Sequence, residues 1–599
     1  MRRFSHFLKG NLRSEQVHSA CWVDTETQER PLSDGGVEHR LVFGWACYQR
    51  TRRGGAWLKP EWHRFTSRAG FWAWLESRLR PRTRTFVFAH NWAFDAPVLG
   101  VFTDLLARGW MMTGAIIDSP PVIIKLRRDT MTLTLLDTLN WWRVPLKSLG
   151  ESLSLPKLEM PSRRAGRAAW DRYARRDVEI IHAALHAWWV FLARYDLGGF
   201  APTLASQAFR AFRHRFLSHP ILIDDHTEAL DLARRSLHGG RVECFRIGRV
   251  RGPVYHLDVN SMYPYVMHEH QFPTVLRLCA RRVTIKECQT WLETMCVTAD
   301  CSLRTEEPCY PSWIDNRLCF PVGRFRAVLS TPELRHAIAH GHLVAIHQAA
   351  VYERAPIFHR FIAEVYALRQ EAAARGDEVN RYLLKILMNS LYGKFAQRGT
   401  TWETVGEAED DDARVWTEID ADTGEITHFR QFAGQQQRRS RATEAFDSHP
   451  AIAAHVTAEA RMHLWTLATR AGLANVYYCD TDSLMLNKDG ARRLEPWIDP
   501  SRLGYLKLEA RYPRLTLYGP KDYIAGSHRV VKGVRLTAQW IDDNTVVQER
   551  WSRLIGMIRS GRLDAPTTHQ QQKVLQRTYQ KGTVLPSGQV LPLRVTAAE

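Results

Sequence analysis

No stretch of the 599-residue sequence is apolar over the length that a membrane-spanning helix requires. The longest apolar run, near Ala187 to Ala193, is far shorter than the about 20 residues that cross a bilayer. The N-terminus, Met1 to Gly10, is basic but lacks the apolar segment of a secretory signal peptide. These absences predict a soluble cytoplasmic protein with no membrane partner, and they exclude transporters and secreted disulfide scaffolds.

Closely paired cysteines are also lacking, because the ten cysteines include no C-x-x-C pair. Buried free thiols are the favoured interpretation in a reducing compartment, and a zinc site is the alternative. Six of the cysteines crowd into one region: Cys279, Cys288, Cys296, Cys301, Cys309 and Cys319.

Acidic residues are too few to balance the basic ones. The chain has 63 Asp and Glu against 82 Lys and Arg, for a formal net charge of +19. A large basic excess without spanning sequence indicates a polyanionic partner, most simply nucleic acid, although a basic surface without a partner is the alternative. At 599 residues the chain is too long for one core, so several domains are expected.

Two carboxylates mark a short stretch near the C-terminal third. The apolar runs Val476 to Cys479 and Leu484 to Leu486 predict two strands joined by the tight turn Asp480-Thr481-Asp482. Because Asp480 and Asp482 are two residues apart, both side chains point the same way in an extended chain. Carboxylates held together in this way favour a cation, and hard oxygen ligands suit Mg²⁺ with a bound phosphate. A solvated acidic turn is the simpler alternative for this stretch alone.

Four further acids are spread over the N-terminal part of the chain. A predicted strand over 19–26 carries Asp24 and Glu26, Asp95 follows the end of the short strand Thr85 to Ala89, and Asp177 lies on a long helical pattern. Such a set can hold two metal ions that activate water and stabilise a leaving oxygen in phosphodiester cleavage. Tyr173, four residues before Asp177 on the same helical face, would orient the water.

Two other segments complete the pattern. His256 to Pro264 predicts a strand that ends in Asp258 and a turn, and Leu383 to Ala396 predicts a helix. The helix has an apolar stripe that can pack on a neighbour, and its other face offers cations and an aromatic ring for a triphosphate and its base. That polar face consists of Arg381, Lys385, Asn389 and Tyr392.

In order, D-x-E, N-x-x-F-D and Y-x-x-x-D resemble the proofreading 3′–5′ exonuclease motifs of family B DNA polymerases. Asp258-Val259-Asn260-Ser261, the string from Asn389 to Phe395 and Asp480-Thr481-Asp482 resemble the polymerase motifs of the same family. The resemblance covers nearly the whole chain and is nearest to the protein-primed branch of small phages and linear plasmids. It implies an RNase H-like α/β exonuclease domain and an α+β right-hand polymerase domain with palm, fingers, thumb and two insertions.

The resemblance also implies domain boundaries. These are exonuclease 1–190, palm 191–264 and 449–534, an insertion like a terminal-protein region 265–360, fingers 361–398, a second insertion for strand displacement and processivity 399–448, and thumb 535–599. Composition alone indicates that the second insertion is an exposed hairpin or loop. A hairpin is expected around Pro586-Ser587-Gly588.

The family's site residues carry over onto matching positions of this sequence. Two Mg²⁺ per active site are implied, with Mn²⁺ as a substitute. The implied ligands are Asp258, Val259 and Asp482, with Asp480 in support, and Asp24, Glu26, Asp95 and Asp177, with Tyr173 catalytic. The implied nucleotide-binding residues are Tyr263, Arg369, Arg381, Lys385, Asn389 and Tyr392. The implied DNA-binding residues are Thr27, Asn91, Phe94, Thr138, Leu139, Lys157, Gly239, Gly240, Thr457, Arg461, Lys521 and Tyr523.

Two positions depart from the family pattern. Leu237 stands where the family has the aromatic residue of Y-x-G-G, and Asp522 lies inside a K-x-Y motif that contacts a phosphate backbone.

The expected partners are primer-template DNA, dNTPs and a terminal priming protein. The resemblance implies replication of a phage, plasmid or integrated mobile element in a bacterial host, by protein-primed, strand-displacing synthesis. The alternatives are a self-priming family B polymerase, a DNA-processing nuclease without synthesis and a non-catalytic DNA-binding scaffold. The catalytic motifs do not distinguish among the ways of priming.

Overall fold

The protein is described by a computed structural model over residues 3–52, 55–117, 120–399, 402–408, 410, 412–440 and 443–596. Within these ranges no helix is both long and apolar enough to span a membrane. Within the same residues the strands form several sheets.

A ten-stranded sheet organises the N-terminal part. At its centre Ser19–Pro31 runs antiparallel to Val37–Arg50 and parallel to Arg84–Ala89, which is itself parallel to Met131–Asp137. Ile123–Arg128 is antiparallel to Met131–Asp137. The remaining strands are Glu61–Phe65, Met111–Ile116, Gln539–Trp540, Thr545–Trp551 and Thr567–Val574.

Helices cover the N-terminal sheet. The predicted long helix spans Arg167–Arg194 and buries Val178, Ile181 and Trp188 against the sheet residues Trp22 and Phe88. This arrangement provides the α/β layer expected for the N-terminal half. The other helices here are Arg68–Glu76, Trp92–Val98, Asp104–Ala107 and Leu146–Ser152.

The central sheet has seven antiparallel strands. In spatial order they are Val242–Cys244, Val476–Asp480, Ser483–Leu486, Gly248–Val259, Leu506–Gly519, Asp522–Ala525 and His528–Val531. The predicted strand–turn–strand around Asp480 therefore lies in the middle of a larger sheet. The helices Met262–Glu269, Pro450–Ala471 and Lys488–Arg493 belong to this region.

A helical hairpin projects from the central region. Its helices are His359–Ala374 and Glu378–Ser390, followed by the short helix Tyr392–Phe395. Leu384 and Met388 are buried, as the apolar stripe predicts. The helix Leu204–Ala211 and the π-helical turn Phe212–Phe216 pack against this hairpin through aromatic contacts such as Phe209–Phe395. The helix Thr227–Arg235 packs instead against the helix Pro450–Ala471 and the sheet of the first insertion.

The first insertion supplies four strands of a five-stranded sheet, and the C-terminal strand Arg594–Val595 supplies the fifth. All ten cysteines of the chain are free, and Cys279 alone is not fully buried, so the six cysteines of this region form no disulfide. The strands are Phe272–Arg281, Cys296–Thr305, Val322–Ser330, Leu343–Ala355 and Arg594–Val595; the helices are Ile285–Thr294 and Thr331–Ala339; a hairpin joins Ser312–Ile314 to Arg317–Cys319.

The second insertion is a folded sheet rather than the exposed hairpin or loop that its polar composition predicts. Phe432 and Ala433 are buried against the N-terminal sheet, where Phe432 meets Phe102 edge-on. Gln435 donates a hydrogen bond to the carbonyl of Met112, so polar strands are held by hydrogen bonds that composition does not reveal. The four strands are Trp402–Glu407, Arg414–Ile419, Ile426–Phe432 and Gln435–Arg439.

The segment after residue 535 contributes strands to the N-terminal sheet and to the sheet of the first insertion. Its first strands extend the N-terminal sheet, where Thr567 pairs with Glu38. The helix Leu554–Ser560 packs on the second insertion. The predicted hairpin is confirmed as Gly582–Val584 paired with Val590–Pro592, and Arg594–Val595 then lies parallel to Val322–Gly323 of the first insertion. The small pair His6–Phe7 and Leu222–Ile223 completes the strands.

Candidate active sites

The turn between Val476–Asp480 and Ser483–Leu486 brings carboxylates from two strands together. Thr481 has a positive φ of 61°, and the amide of Asp482 donates to the carbonyl of Asp480 at 2.6 Å, so the turn is tight. Asp258 is the register partner of Ser483, and the Val259 amide donates to the Asp482 carbonyl at 2.7 Å. The structure therefore sets Asp258 and Asp482 side by side at the ends of adjacent strands.

The electrostatics of this pair favour a bound cation. Burial, together with the charge of Asp482, raises the pKa of Asp258 to about 7, and Lys385 opposes part of that rise. Burial also raises the pKa of Asp482, with a contribution from Asp480. Half-buried carboxylates that repel one another are stabilised most directly by a hard cation with oxygen ligands. The residues present thus fit Mg²⁺.

Asp480 has a different environment because protein donors already hold it. The Tyr478 hydroxyl donates to it at 3.0 Å, and the Lys521 ammonium lies 3.1 Å away. The ring of Tyr523 packs against that of Tyr478, with centroids 5.6 Å apart. Asp480 is therefore placed to shape the turn, and Lys521 and Tyr523 are brought to its outer side.

Asp522, the unexpected acid between Lys521 and Tyr523, is turned away from the site. Arg577 holds it by two hydrogen bonds, from Nε at 3.0 Å and from Nη2 at 3.1 Å. The negative charge is thereby neutralised by the C-terminal segment.

Side chains predicted to bind the nucleotide line the gap between the central sheet and the helical hairpin. The rings of Tyr263 and Tyr392 stack with centroids 4.7 Å apart. Arg369 donates to the Ser261 hydroxyl at 3.1 Å. Lys385 is exposed and close enough to influence both carboxylates.

Two other predicted nucleotide-binding residues have partners within their own helix. Arg381 is exposed and lies 3.2 Å from Glu378. The Asn389 amide donates to the Lys385 carbonyl at 2.9 Å. Arg381 can leave Glu378 and bind a phosphate at a small cost in free energy, because exposed ion pairs contribute little to stability.

The linker glycines lie against the catalytic turn. A Cβ on Gly240 would sit 2.7 Å from the Thr481 side chain, whereas one on Gly239 would meet nothing within 4 Å. The Arg241 carbonyl accepts from the Thr481 amide at 2.7 Å. Gly240 is thus required for close approach to the turn, and Gly239 is exposed.

Two residues predicted to contact DNA, Thr457 and Arg461, have buried side chains in this structure. Thr457 is 4% exposed and its hydroxyl donates to the Ala454 carbonyl at 3.0 Å. Arg461 is 2% exposed; it pairs with Glu333 at 2.7 Å and donates to the Gly239 carbonyl at 2.9 Å. The four-residue spacing on one helix face was real, but that face packs inward.

A second carboxylate site lies in the N-terminal sheet. Oxygen atoms of Asp24, Glu26 and Asp177 all lie within 4.8 Å of one another. Burial raises the pKa of Asp24 well above its ordinary value, with the charge of Asp177 adding to the effect. Burial and Asp177 raise the pKa of Glu26 to about 7. The cluster again fits a hard divalent cation.

Lys157 and Tyr173 border this second site. The Lys157 ammonium donates to Asp177 and lies 4.4 Å from the centroid of the Tyr173 ring. In this arrangement Lys157 neutralises part of the acidic cluster, and Tyr173 lies at its edge as its helical spacing predicts.

Asp95 lies next to the three-acid cluster but is not part of it. Its carboxylate accepts from the Thr25 hydroxyl at 2.6 Å, and it is 3% exposed. Burial raises its pKa to about 7. The structure therefore brings three of the four predicted acids together in one cluster. The fourth, Asp95, is bonded to Thr25, which lies between Asp24 and Glu26 in the sequence.

Sequence reasoning missed Asp137, which organises the predicted Asn91 loop. Its carboxylate accepts backbone hydrogen bonds from Asn91, Trp92 and Leu139, each at 2.9 Å. Burial raises its pKa to about 6, against these bonds. The available signal was an acid at a strand end that caps the next turn.

The remaining predicted DNA ligands of the N-terminal half divide into surface and interior positions. Asn91 is exposed, with φ 85°, and Thr27 and Leu139 are half-buried. Phe94 packs edge-on against Trp551 at 5.6 Å. Thr138 is fully buried, and its hydroxyl donates to the Ala89 carbonyl at 3.2 Å.

Comparison with known proteins identifies relatives. The family model for type B DNA polymerases, organellar and viral, matches residues 172–468. A probable DNA polymerase of Neurospora intermedia is 24% identical over 335 residues, covering 54% of this chain and 34% of that protein. The DNA-directed DNA polymerase of Enterobacteria phage PRD1 is 24% identical over 400 residues, covering 63% of this chain and 64% of that protein.

The chain thus spans only a part of the lengths of these curated relatives. Among solved structures, Phi29 DNA polymerase complexed with primer-template DNA and incoming nucleotides has a TM-score of 0.66 at 15% identity, covering 93% of this chain and 100% of that one. The orthorhombic crystal form of Phi29 DNA polymerase has a TM-score of 0.63 at 17% identity over 86% of this chain and 89% of that one. The fold expected from the motifs is therefore confirmed, and residues 172–468 match the family of type B DNA polymerases, organellar and viral.

Proposed function

We propose that the chain is a DNA-directed DNA polymerase with a separate 3′–5′ proofreading exonuclease. The observation that carries the proposal is the pair of half-buried carboxylate clusters, Asp258 with Asp482 and Asp24 with Glu26 and Asp177, each with raised pKa values. Two such clusters on different sheets of one chain suit two separate reactions at phosphorus.

At the central site, Asp258, the main chain of Val259 and Asp482 would hold Mg²⁺. When bound, the cations acidify the attacking hydroxyl and neutralise the leaving pyrophosphate. Lys385 and Arg381 would bind the phosphate oxygens that gain charge during transfer, and Arg369 would add a weaker contact from the neighbouring helix. Tyr263, stacked on Tyr392, would support the sugar and base of the incoming dNTP and exclude a ribose 2′-hydroxyl.

At the N-terminal site, Asp24, Glu26 and Asp177 would hold the divalent cations, with Asp95 as the adjoining acid. Tyr173 would orient the attacking water, and Lys157 would balance the cluster's charge. Thr27, Asn91, Phe94 and Leu139 would contact a frayed primer end. Mn²⁺ would replace Mg²⁺ at both sites, because both ions accept carboxylate ligands.

Protein-primed, strand-displacing synthesis is the mode that we propose for this activity. It is supported by the two folded insertions, which lie at the positions where the protein-primed branch carries them. The partners would be primer-template DNA, dNTPs and a terminal protein. A net charge of +19 supports extensive contact with phosphates, so binding should weaken steeply with salt.

The two-site assignment is tested with Asp482→Asn and Asp24→Asn, which keep side-chain shape while removing a ligand charge. With Mg²⁺ and a labelled primer-template, Asp482→Asn should lose synthesis but still shorten the primer. Asp24→Asn should extend the primer but no longer degrade single strands. Asp95→Ala should resemble Asp24→Asn. Loss of both activities in either Asn variant would contradict two independent sites.

The mode of priming requires a separate measurement. The wild-type protein is given labelled dNTPs and a single-stranded template, with and without an annealed primer. Synthesis that needs the primer supports a terminal protein as the natural starter. Synthesis without any primer would replace protein priming by self-priming, and primer degradation without synthesis would favour a DNA-processing nuclease.

A further inference from the structure

A cluster of different chemistry lies at the end of the first insertion, outside both carboxylate sites. It consists of Glu307, Cys309, His336 and His342, and one donor atom of each lies within 4.8 Å of every other. The four residues come from three places in the insertion: the turn after Cys296–Thr305, the helix Thr331–Ala339 and the residue preceding Leu343–Ala355. The folded insertion therefore assembles a set that is scattered in sequence.

We propose that this cluster is a structural zinc site. One thiolate, two imidazoles and one carboxylate are ligands that zinc accepts, whereas Mg²⁺ prefers an all-oxygen set. A zinc tetrahedron with bonds of about 2.0–2.3 Å has edges of about 3.3–3.8 Å. His336 Nε2 and His342 Nδ1 lie 2.9 and 3.9 Å from the same oxygen of Glu307, so small side-chain movements produce that geometry.

The surroundings suit a site that takes up its ion from solvent. Cys309 is 1% exposed, which protects the sulfur from oxidation and from exchange. The side chains of Glu307, His336 and His342 are 16–25% exposed, so the opposite side of the cluster is open. The Trp465 ring N–H donates to the other oxygen of Glu307 at 2.5 Å, and such outer contacts fix the orientation of a ligating carboxylate.

Without a metal the same groups can satisfy one another. His336 is hydrogen-bonded to Glu307 at 2.9 Å, and the Tyr310 hydroxyl contacts His342 Nδ1 at 2.8 Å. Both contacts involve atoms that zinc would take, so metal binding and this hydrogen-bonded network exclude each other. The two states are therefore distinguishable by experiment.

The site would fasten the insertion to the central sheet. The helix Thr331–Ala339 carries both His336 and Glu333, and Glu333 binds Arg461 of the helix Pro450–Ala471. Trp465 of that helix binds Glu307. A metal at the cluster would therefore stabilise the contact between the insertion and the helix Pro450–Ala471. The buried ion pair of Glu333 and Arg461 stabilises the same contact one helical turn away.

The test uses the purified full chain. After dialysis against a weak chelator and excess Mg²⁺, elemental analysis should find one zinc per chain. Replacement by Co²⁺ should give the visible bands of a tetrahedral ion and a thiolate-to-cobalt charge-transfer band. That band distinguishes this cluster from the carboxylate sites, which contain no sulfur. Substoichiometric zinc and no charge-transfer band on adding Co²⁺ to the wild type would overturn the proposal in favour of the metal-free network.

Matched variants assign the band to these residues. Cys309→Ser and His336→Asn should lose the band and the bound zinc. Two control variants should keep both the charge-transfer band and the bound zinc. One is Cys279→Ser, in the sheet of the first insertion. The other is His340→Asn, because the His340 ring stacks on His336 with centroids 4.1 Å apart but is not in the cluster. Retention of the band in Cys309→Ser would place the thiolate ligand elsewhere and refute the site. The wild-type result stands on its own if a variant fails to fold.

Discussion

The buried pair of Arg461 and Glu333 yields a prediction that separates structural support from DNA contact. The side chains of Arg461 and Glu333 are 1% and 0% exposed, and their atoms are 2.7 Å apart. Glu333→Gln leaves a guanidinium charge buried with only carbonyl partners. Removing one member of a buried ion pair costs about 3–5 kcal/mol, so we expect Glu333→Gln to lower the free energy of unfolding by about that amount.

The double variant supplies the decisive comparison. Replacing both residues by leucine removes the uncompensated charge and keeps apolar volume, so it should cost less than Glu333→Gln alone. Urea titration of each variant measures the order. Glu306→Gln is the control: it lies in the same insertion and breaks an exposed pair with Arg594, so it should change the unfolding curve little.

The opposite pattern would refute this reasoning. If Arg461→Leu left the unfolding curve unchanged while weakening primer-template binding and flattening its salt dependence, Arg461 would be a phosphate contact. A buried structural role instead predicts that Arg461→Leu lowers the free energy of unfolding. The fraction of this variant that stays folded should bind DNA with an unchanged salt dependence.

Two further predictions concern pH and backbone approach. Burial lowers the pKa of His182 from 6.5 to about 3 and that of His186 to about 4, so the native state keeps both neutral while the unfolded state takes up protons below pH 6.5. This pair should therefore lower the free energy of unfolding by about 2 kcal/mol between pH 7 and pH 5.5. Urea titrations of His182→Leu across that range should show a free energy of unfolding that depends less steeply on pH. An unchanged dependence would contradict a neutral His182. Gly240→Ala places a Cβ within 2.7 Å of the Thr481 side chain, so it should lower primer extension by about 10- to 100-fold while sparing nuclease activity. The control Gly239→Ala should retain both activities. Equal activity of the two variants would show that the close approach of residue 240 to the catalytic turn is not required.

The sequence was sufficient for the elements whose pattern is local. Alternation and turn residues placed Val476–Asp480 and Ser483–Leu486 around their acidic turn, and helical spacing put Tyr173 and Asp177 on one face. Those features follow from the two- and 3.6-residue periods alone. The order of the family motifs then predicted both groups of carboxylates as sites.

What sequence could not supply was the packing partner of each face. Arg461 and Thr457 share a helix face, but only the insertion helix with Glu333 makes that face an interior one. Asp137 acts through backbone amides of residues about 45 positions away, a contact with no local periodicity. Composition likewise predicted an exposed hairpin or loop for the second insertion. It could not reveal that Gln435 donates a hydrogen bond to Met112, since that partner is brought near only by the folded N-terminal sheet.

The C-terminal segment, which adds strands to the N-terminal sheet and to the first insertion, also constrains how the chain folds. His39 and Thr568 are 529 residues apart in sequence, and Tyr579 bonds the Cys244 amide across 335 residues. At a synthesis rate of about 5–20 residues per second, the N-terminal sheet would wait about half a minute to two minutes for its last strands. Until then its Val37–Arg50 strand presents unpaired backbone at residues 37–38, which a neighbouring nascent chain can pair with. Pairings of such long range form slowly, so the chain's exposure to aggregation is concentrated in the interval before residues 567–595 dock.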